Sequence, residues 1–158
     1  MSDCFIRNMQ PEEYGLLKDF LYEAIFRPQG APAPPYEIVN HPALRLYHEE
    51  FGSEKQDLAL CAERRAEVVG AIWCRCMNGY GHVADDIPEL AMAVKVPFRG
   101  RGIGKRLLQK LLDELKGRGC REVSLSVQKI NFACELYRKA GFHTVRETEE
   151  EYIMVYRF

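Results

Sequence analysis

At 158 residues, 47% apolar and 28% charged, the chain has the composition of one globular domain large enough to bury a core. A formal net charge of −1 argues against a general nucleic-acid binder, which spreads positive charge over a whole face. No apolar run approaches the roughly 20 residues that cross a bilayer. The first residues, with Asp3, Arg7, Glu12 and Glu13, lack the apolar centre of a signal peptide, so a cytoplasmic protein is expected, with no membrane partner.

Phe5 to Met9 reads as a first strand. Pro11-Glu12-Glu13 then opens a helix, with proline and acids where a first turn favours them, and its apolar stripe runs Tyr14, Leu17, Leu21, Ala24 and Ile25. The proline-rich stretch Arg27 to Pro35 ends it as an extended loop. His41 to Phe51 is expected to form a second helix, closed by Gly52-Ser53. Asp57 to Arg64 and Ala66 to Met77 follow as a hairpin of two strands, and Asn78 to His82 as a turn.

Glu89 to Val94 is a compact strand. After it come Arg99-Gly100-Arg101-Gly102-Ile103-Gly104 and a long helix whose apolar residues Ile103, Leu107, Leu108, Leu111, Leu112 and Leu115 recur at helical spacing until Gly117 and Gly119. A strand at Glu122 to Val127 alternates, Asn131 suits the N-cap of a helix from Phe132 to Ala140, and Gly141 suits its end. His143 to Arg146 and Tyr152 to Phe158 complete the order as two strands around an acidic turn. The order is β-α-α-β-β-β-α-β-α-β-β, an α/β (α+β) single domain over residues 1–158 with a mixed sheet of about seven strands and about four helices. The strands at 89–94 and 123–127, joined through one helix, are expected to be parallel neighbours. The last strand is read as an edge able to pair across a homodimer.

The six cysteines, Cys4, Cys61, Cys74, Cys76, Cys120 and Cys134, form no C-x-x-C pair and read as reduced, packed thiols. No metal site is expected. His41 and His48 would lie about 10 Å apart along a helix, too far to share an ion.

The glycine-rich turn carries the chemistry. The first N–H groups of a helix have no internal partner, and the dipole adds positive charge there. Arg99, Arg101, Lys105 and Arg106 crowd that positive end while Asp113 and Glu114 lie toward the negative one. The macrodipole favours the reverse, by about 0.3–1 kcal/mol per charge, so the arrangement serves an anionic ligand rather than the helix. Gly100, Gly102 and Gly104 space as G-x-G-x-G, not the G-x-G-x-x-G of a dinucleotide fold. A P-loop fails because Arg99 stands at its first glycine and Arg106 at its Ser/Thr.

What remains, Arg-x-x-Gly-x-Gly at Arg99, Gly102 and Gly104, resembles the pyrophosphate-binding motif of the GCN5-related N-acetyltransferase (GNAT) superfamily, which binds acetyl-CoA. The segment Asn131, Ala133, Leu136-Tyr137 and Gly141-Phe142 resembles a second motif of that family at matching spacing, and the element order matches its fold over essentially the whole chain. The resemblance implies an acyltransferase moving an acetyl group from acetyl-CoA to a primary amine of a small molecule or peptide by direct attack. The alternative is an acyl-CoA-binding module with little catalysis. It implies that Arg99, Gly100, Arg101, Gly102, Ile103, Gly104 and Lys105 hold the pyrophosphate, with a contact from Asn131. Backbone groups of Met92, Ala93 and Val94 are implied to pair with the pantetheine arm. By the same resemblance Glu89 serves as base and Tyr137 protonates the leaving thiolate. The amine acceptor is expected among residues 26–52 and 78–88, where Tyr36, His41, Tyr47, His48, Tyr80 and His82 stand beside Asp85 and Asp86.

Overall fold

The computed structural model describes residues 3–25 and 30–158. Seven strands form one mixed sheet: β1 (Cys4–Asn8), β2 (Leu58–Arg64), β3 (Glu67–Arg75), β4 (Glu89–Val94), β5 (Glu122–Gln128), β6 (His143–Glu147) and β7 (Glu151–Arg157), in the spatial order β1-β2-β3-β4-β5-β7-β6. All neighbours are antiparallel except β4 and β5. The helices are α1 (Leu16–Ala24), α2 (Pro42–Arg45), α3 (Ile103–Gly117) and α4 (Ala133–Ala140), with single 3-10 turns at Pro11–Glu13, Tyr36–Asn40 and Val96–Phe98. Residues 26–29, which include the start of the proline-rich loop, lie outside the described residues. No helix among the described residues is long and apolar enough to cross a membrane.

Helices cover both faces. All six periodic apolar residues of α3 are buried, packed with Leu60, Ile72, Val123 and Leu125 and with Cys134 and Tyr137 of α4. The opposite face is closed by Leu17, Phe20 and Leu21 of α1, with Val39 and Tyr47, against Cys61, Ala71, Trp73 and Ala93. The hairpin from β2 to β3 turns on Arg65 (φ 50°) and Ala66 (φ 66°), two left-handed residues in the register Arg64–Glu67 that a two-residue turn requires. Among the described residues the six cysteines form no disulfide.

Two expectations need correction. The second helix covers Pro42–Arg45 only, not His41 to Phe51. Side chains of β3 take the carbonyls that would have continued it. Trp73 Nε1 donates to Tyr47 O at 2.8 Å, and Arg75 Nη1 donates to the carbonyls of Leu46 (3.1 Å) and Glu49 (2.7 Å). Arg75 is buried and also forks onto Asp57, with Nη2–Oδ2 at 3.0 Å and Nε–Oδ1 at 3.2 Å, so it pins the whole segment to the sheet. The C-terminal strand, in turn, is no edge. β7 lies between β5 and β6, its ladder satisfied on both sides, and cannot pair across a dimer.

Candidate active site

β4 and β5 share a single register pair, Glu89–Ser124, next to which Ser124 N donates to Pro88 O at 2.9 Å. Beyond it the two strands part. On its other side β4 stays in register with β3 from Glu89 to Val94. Bonding and non-bonding pairs alternate along an antiparallel ladder. Since Lys95 N donates to Val69 O at 2.9 Å, Ala93 and Ala91 turn their backbone groups to β3, while Val94 and Met92 turn theirs into the gap and Leu90 turns its own to β5 beside the bridge. Of the three residues expected to offer backbone to a ligand, Met92 and Val94 face the opening. Ala93 does not, because its backbone is committed to β3.

The N-terminus of α3 stands at the wide end of that gap. Gly100 (φ 76°) and Gly102 (φ 81°) adopt left-handed conformations that other residues adopt only under strain. Open space lies above both, because an added Cβ would meet nothing within 4 Å. Gly102 is the N-cap and supplies no side-chain cap. The amides of Ile103, Gly104 and Lys105 precede the first helical bond, from Arg106 N to Gly102 O at 3.1 Å, and have no carbonyl partner. Ile103 is buried and anchors the turn, and a Cβ on Gly104 would lie 3.5 Å from Met92 Cε and 3.7 Å from Leu136 Cδ2. Helix start, β4 and α4 thus converge.

The charges there face outward. Arg99 reaches back, with Nε donating to Val94 O at 2.7 Å and Nη2 lying 3.5 Å from Glu23 Oε2. Arg101 lies over the Phe98 ring at 5.8 Å, and Lys105 is exposed with no ion pair among the described residues. No acid occupies the first turn of α3. Uncapped amides, open space and unneutralised cations suit a polyanionic group such as a pyrophosphate.

On α4, Asn131 Oδ1 accepts from Ala133 N at 2.9 Å, the capping role its position suggests. Tyr137 is buried, its ring edge-on to Phe142 at 5.6 Å. Burial, and then the neighbouring Cys134, hold its phenol well above the ordinary value, so it stays protonated.

Glu89 lies at the closed end of the gap, 1% exposed. Its Oε2 accepts from the Tyr47 hydroxyl and, at 3.0 Å, from Gly81 N. Its Oε1 is buried with no hydrogen-bond partner among the described residues, and so is Oγ of Ser124 opposite it. Desolvation raises the carboxyl above its ordinary value. The Tyr47 and Gly81 bonds and the charge of His82 oppose that rise, and Glu151 adds to it. The turn 79–81 is pressed onto this group: a Cβ on Gly79 would come within 2.6 Å of Glu89 Oε1, and one on Gly81 within 2.6 Å of the Leu125 carbonyl carbon.

The residues expected at the acceptor side divide. Tyr47, Tyr80 and His82 gather around Glu89, with His82 Nε2 2.9 Å from Asp85 Oδ1 and Arg146 donating to His82 O at 3.1 Å. Tyr36 instead bonds Asp19 on α1 (2.5 Å), His41 caps α2 by accepting from Ala43 N (3.1 Å), and His48 bonds Val39 O (2.9 Å). Sequence reasoning named Tyr47 only as one aromatic among several, and it missed Ser124. No spacing rule links Tyr47 to a carboxylate 42 residues away.

Residues 20–142 match the model of the Acetyltransferase (GNAT) family. An acetyltransferase of Pectobacterium atrosepticum is 37% identical over 91 residues, covering 56% of this chain and 60% of its own length. Glucosamine 6-phosphate N-acetyltransferase 1 of Oryza sativa subsp. japonica is 33% identical over 127 residues, covering 72% of this chain and 68% of its own. In fold, the chain is similar over 100% of both lengths to the PaiA N-acetyltransferase of Thermoplasma acidophilum in complex with coenzyme A, with a TM-score of 0.70 at 21% identity. With the family model spanning most of the sequence and the open parallel pair leading to a basic helix start, the chain belongs to the GNAT family of acetyltransferases.

Proposed function

We propose that residues 1–158 form one N-acetyltransferase domain that transfers the acetyl group of acetyl-CoA to a primary amine of a small molecule or peptide, by direct attack within a ternary complex. The observation that carries this reading is the gap between β4 and β5. It has a glycine-rich cationic helix start at one end and a buried carboxyl, Glu89, at the other.

Bound acetyl-CoA supplies an activated carbonyl and a thiolate leaving group. The amides of Ile103, Gly104 and Lys105, with Arg101 and Lys105, hold its pyrophosphate, and Arg99 secures the turn to β4. N–H groups of Met92 and Val94 face the gap, where they align the arm and polarise the carbonyl oxygen. An alkylamine with a pKa near 10.4 arrives protonated at neutral pH, and Glu89 takes its proton. A carboxyl raised by burial is a better base than an exposed one. Tyr137, kept protonated, gives its proton to the departing sulfur. The thiol of Cys134 is pushed up by burial and donates to Gln128 O at 3.2 Å, which does not favour a covalent acyl-enzyme.

A panel of small amines and peptides, assayed for CoA release from acetyl-CoA, tests the proposal. At least one amine raises release above background hydrolysis. Tight CoA binding with no responsive amine would replace the enzyme by an acyl-CoA-binding module.

A further inference from the structure

We propose that Tyr47 is a positioning residue of this site: its hydroxyl, fixed between the Tyr80 amide and Glu89 Oε2, holds the carboxyl of Glu89 so that Oε1 is the oxygen left to exchange a proton. The inference rests on the reading of Glu89 as the base.

Tyr47 is held at both ends. Its carbonyl accepts from Trp73 Nε1 at 2.8 Å, and its hydroxyl accepts from Tyr80 N at 3.0 Å while donating to Glu89 Oε2. A phenol has one proton to give, and the Tyr80 amide occupies an acceptor side of the oxygen, so the phenol proton is directed at the carboxyl. Gly81 N donates to the same Oε2 at 3.0 Å. One carboxyl oxygen is therefore saturated and the other bare. Without the hydroxyl the Glu89 side chain would be tethered by one amide only.

The same bonds couple the acceptor loops to the chemistry. Tyr47 comes from the segment after α2, while Tyr80 and Gly81 come from the connection between β3 and β4, and all three meet at Glu89. The groups facing Glu89 are Tyr47, the Gly81 amide and His82 from these loops, Ser124 from β5, and Glu151 from β7. Of these, Tyr47 and Gly81 donate directly to the carboxylate and favour its charged form. Removing the hydroxyl therefore makes Glu89 harder to ionise.

The test uses the whole protein with 13C-labelled glutamate side-chain carboxyls, titrated by NMR as wild type, Tyr47→Phe and Glu89→Gln, the last identifying the Glu89 signal by its loss. The Glu89 midpoint moves up by about one pH unit in Tyr47→Phe, the scale of one hydrogen bond to a charged group. With the best amine of the panel, the acid limb of turnover moves up with it, lowering turnover about tenfold on that limb, while the KM for acetyl-CoA stays within twofold. A midpoint that does not move, with the variant folded, overturns the inference. If Tyr47→Phe does not fold, the wild type decides: a downfield, slowly exchanging hydroxyl proton that moves upfield in Glu89→Gln, where a neutral amide oxygen replaces the carboxylate, supports the bond, and its absence refutes it. Should Glu89→Gln keep full turnover while the Glu89 midpoint still responds to Tyr47, the base assignment fails and the coupling stands.

Discussion

Among the described residues Glu89 and Ser124 are the only register pair between the two parallel strands, and each buries an oxygen that has no partner there. Parallel neighbours ordinarily bond along their whole length; here the ladder stops where the gap toward α3 begins. The one point that holds the sheet shut is also the point where a carboxyl is kept dry.

Ser124→Ala removes a buried hydroxyl that satisfies nothing. The variant is expected to match or exceed wild-type stability, by up to about 1 kcal/mol, since a desolvated and unbonded polar atom is lost. Urea unfolding measures it, and a loss of stability would show that the hydroxyl has a partner in solution.

Gly81→Ala places a methyl 2.6 Å from the Leu125 carbonyl carbon and 2.7 Å from Ser126 N, both backbone atoms that cannot step aside. A loss of about 1–3 kcal/mol is expected from this overpacking. Gly100→Ala meets open space and suffers only the left-handed backbone, about 1–2 kcal/mol. Thermal melts of the two should rank Gly81→Ala as the more severe.

Arg101→Ala and Lys105→Ala each weaken CoA binding a few-fold, the worth of one exposed charge beside a helix N-terminus. Calorimetry at low and high salt should show the difference from wild type shrinking as salt is added. Equal affinities at low salt would remove these residues from the site.

Tyr137→Phe keeps the ring packed on Phe142 and deletes the proposed proton donor. Turnover falls about 100-fold, within the usual range for a general acid, while the Kd for CoA stays within twofold. Unchanged turnover would reassign the residue to the core alone.

Away from the cleft, Glu13 is held down to about 2, chiefly by its hydrogen bonds with Arg7, whose Nη2 lies 2.8 Å from Glu13 Oε2. A folded-state value below the unfolded one means that the pair contributes stability above the ordinary carboxylate range, and that this is lost as pH falls toward 2. Glu13→Gln therefore destabilises at pH 7, and the gap from wild type closes between about pH 4.5 and 2. Denaturant midpoints across that range measure it.

Much of this molecule was legible in its sequence. The apolar period of α3, the bounds of β4 and the capping position of Asn131 depend on local spacing, and the structure places them there. The elements that went astray are governed by distant contacts. α2 is cut short because Trp73 and Arg75, from another strand, claim the carbonyls of Leu46, Tyr47 and Glu49. β7 is interior because β6 folds over to its outer side, a choice of order that no local pattern encodes. At the site, the glycine turn advertised itself, whereas the bond from Tyr47 to Glu89 joins two residues whose only relation is tertiary.

The spatial order of the strands also repeats their order along the chain, apart from the exchange of the last two. Strands β1–β4 lie within residues 4–94 and β5–β7 within 122–157, so each half of the sheet is one continuous piece of polypeptide. Within them β2–β3 and β6–β7 are tight hairpins, which close fastest, and α3 with the lone Glu89–Ser124 bridge joins the two halves. The slow closure is then between β1 and β2, where Cys4 must find Arg64 across most of the N-terminal half. A fold that separates so cleanly into consecutive segments leaves the gap between β4 and β5 as the seam between two folding units.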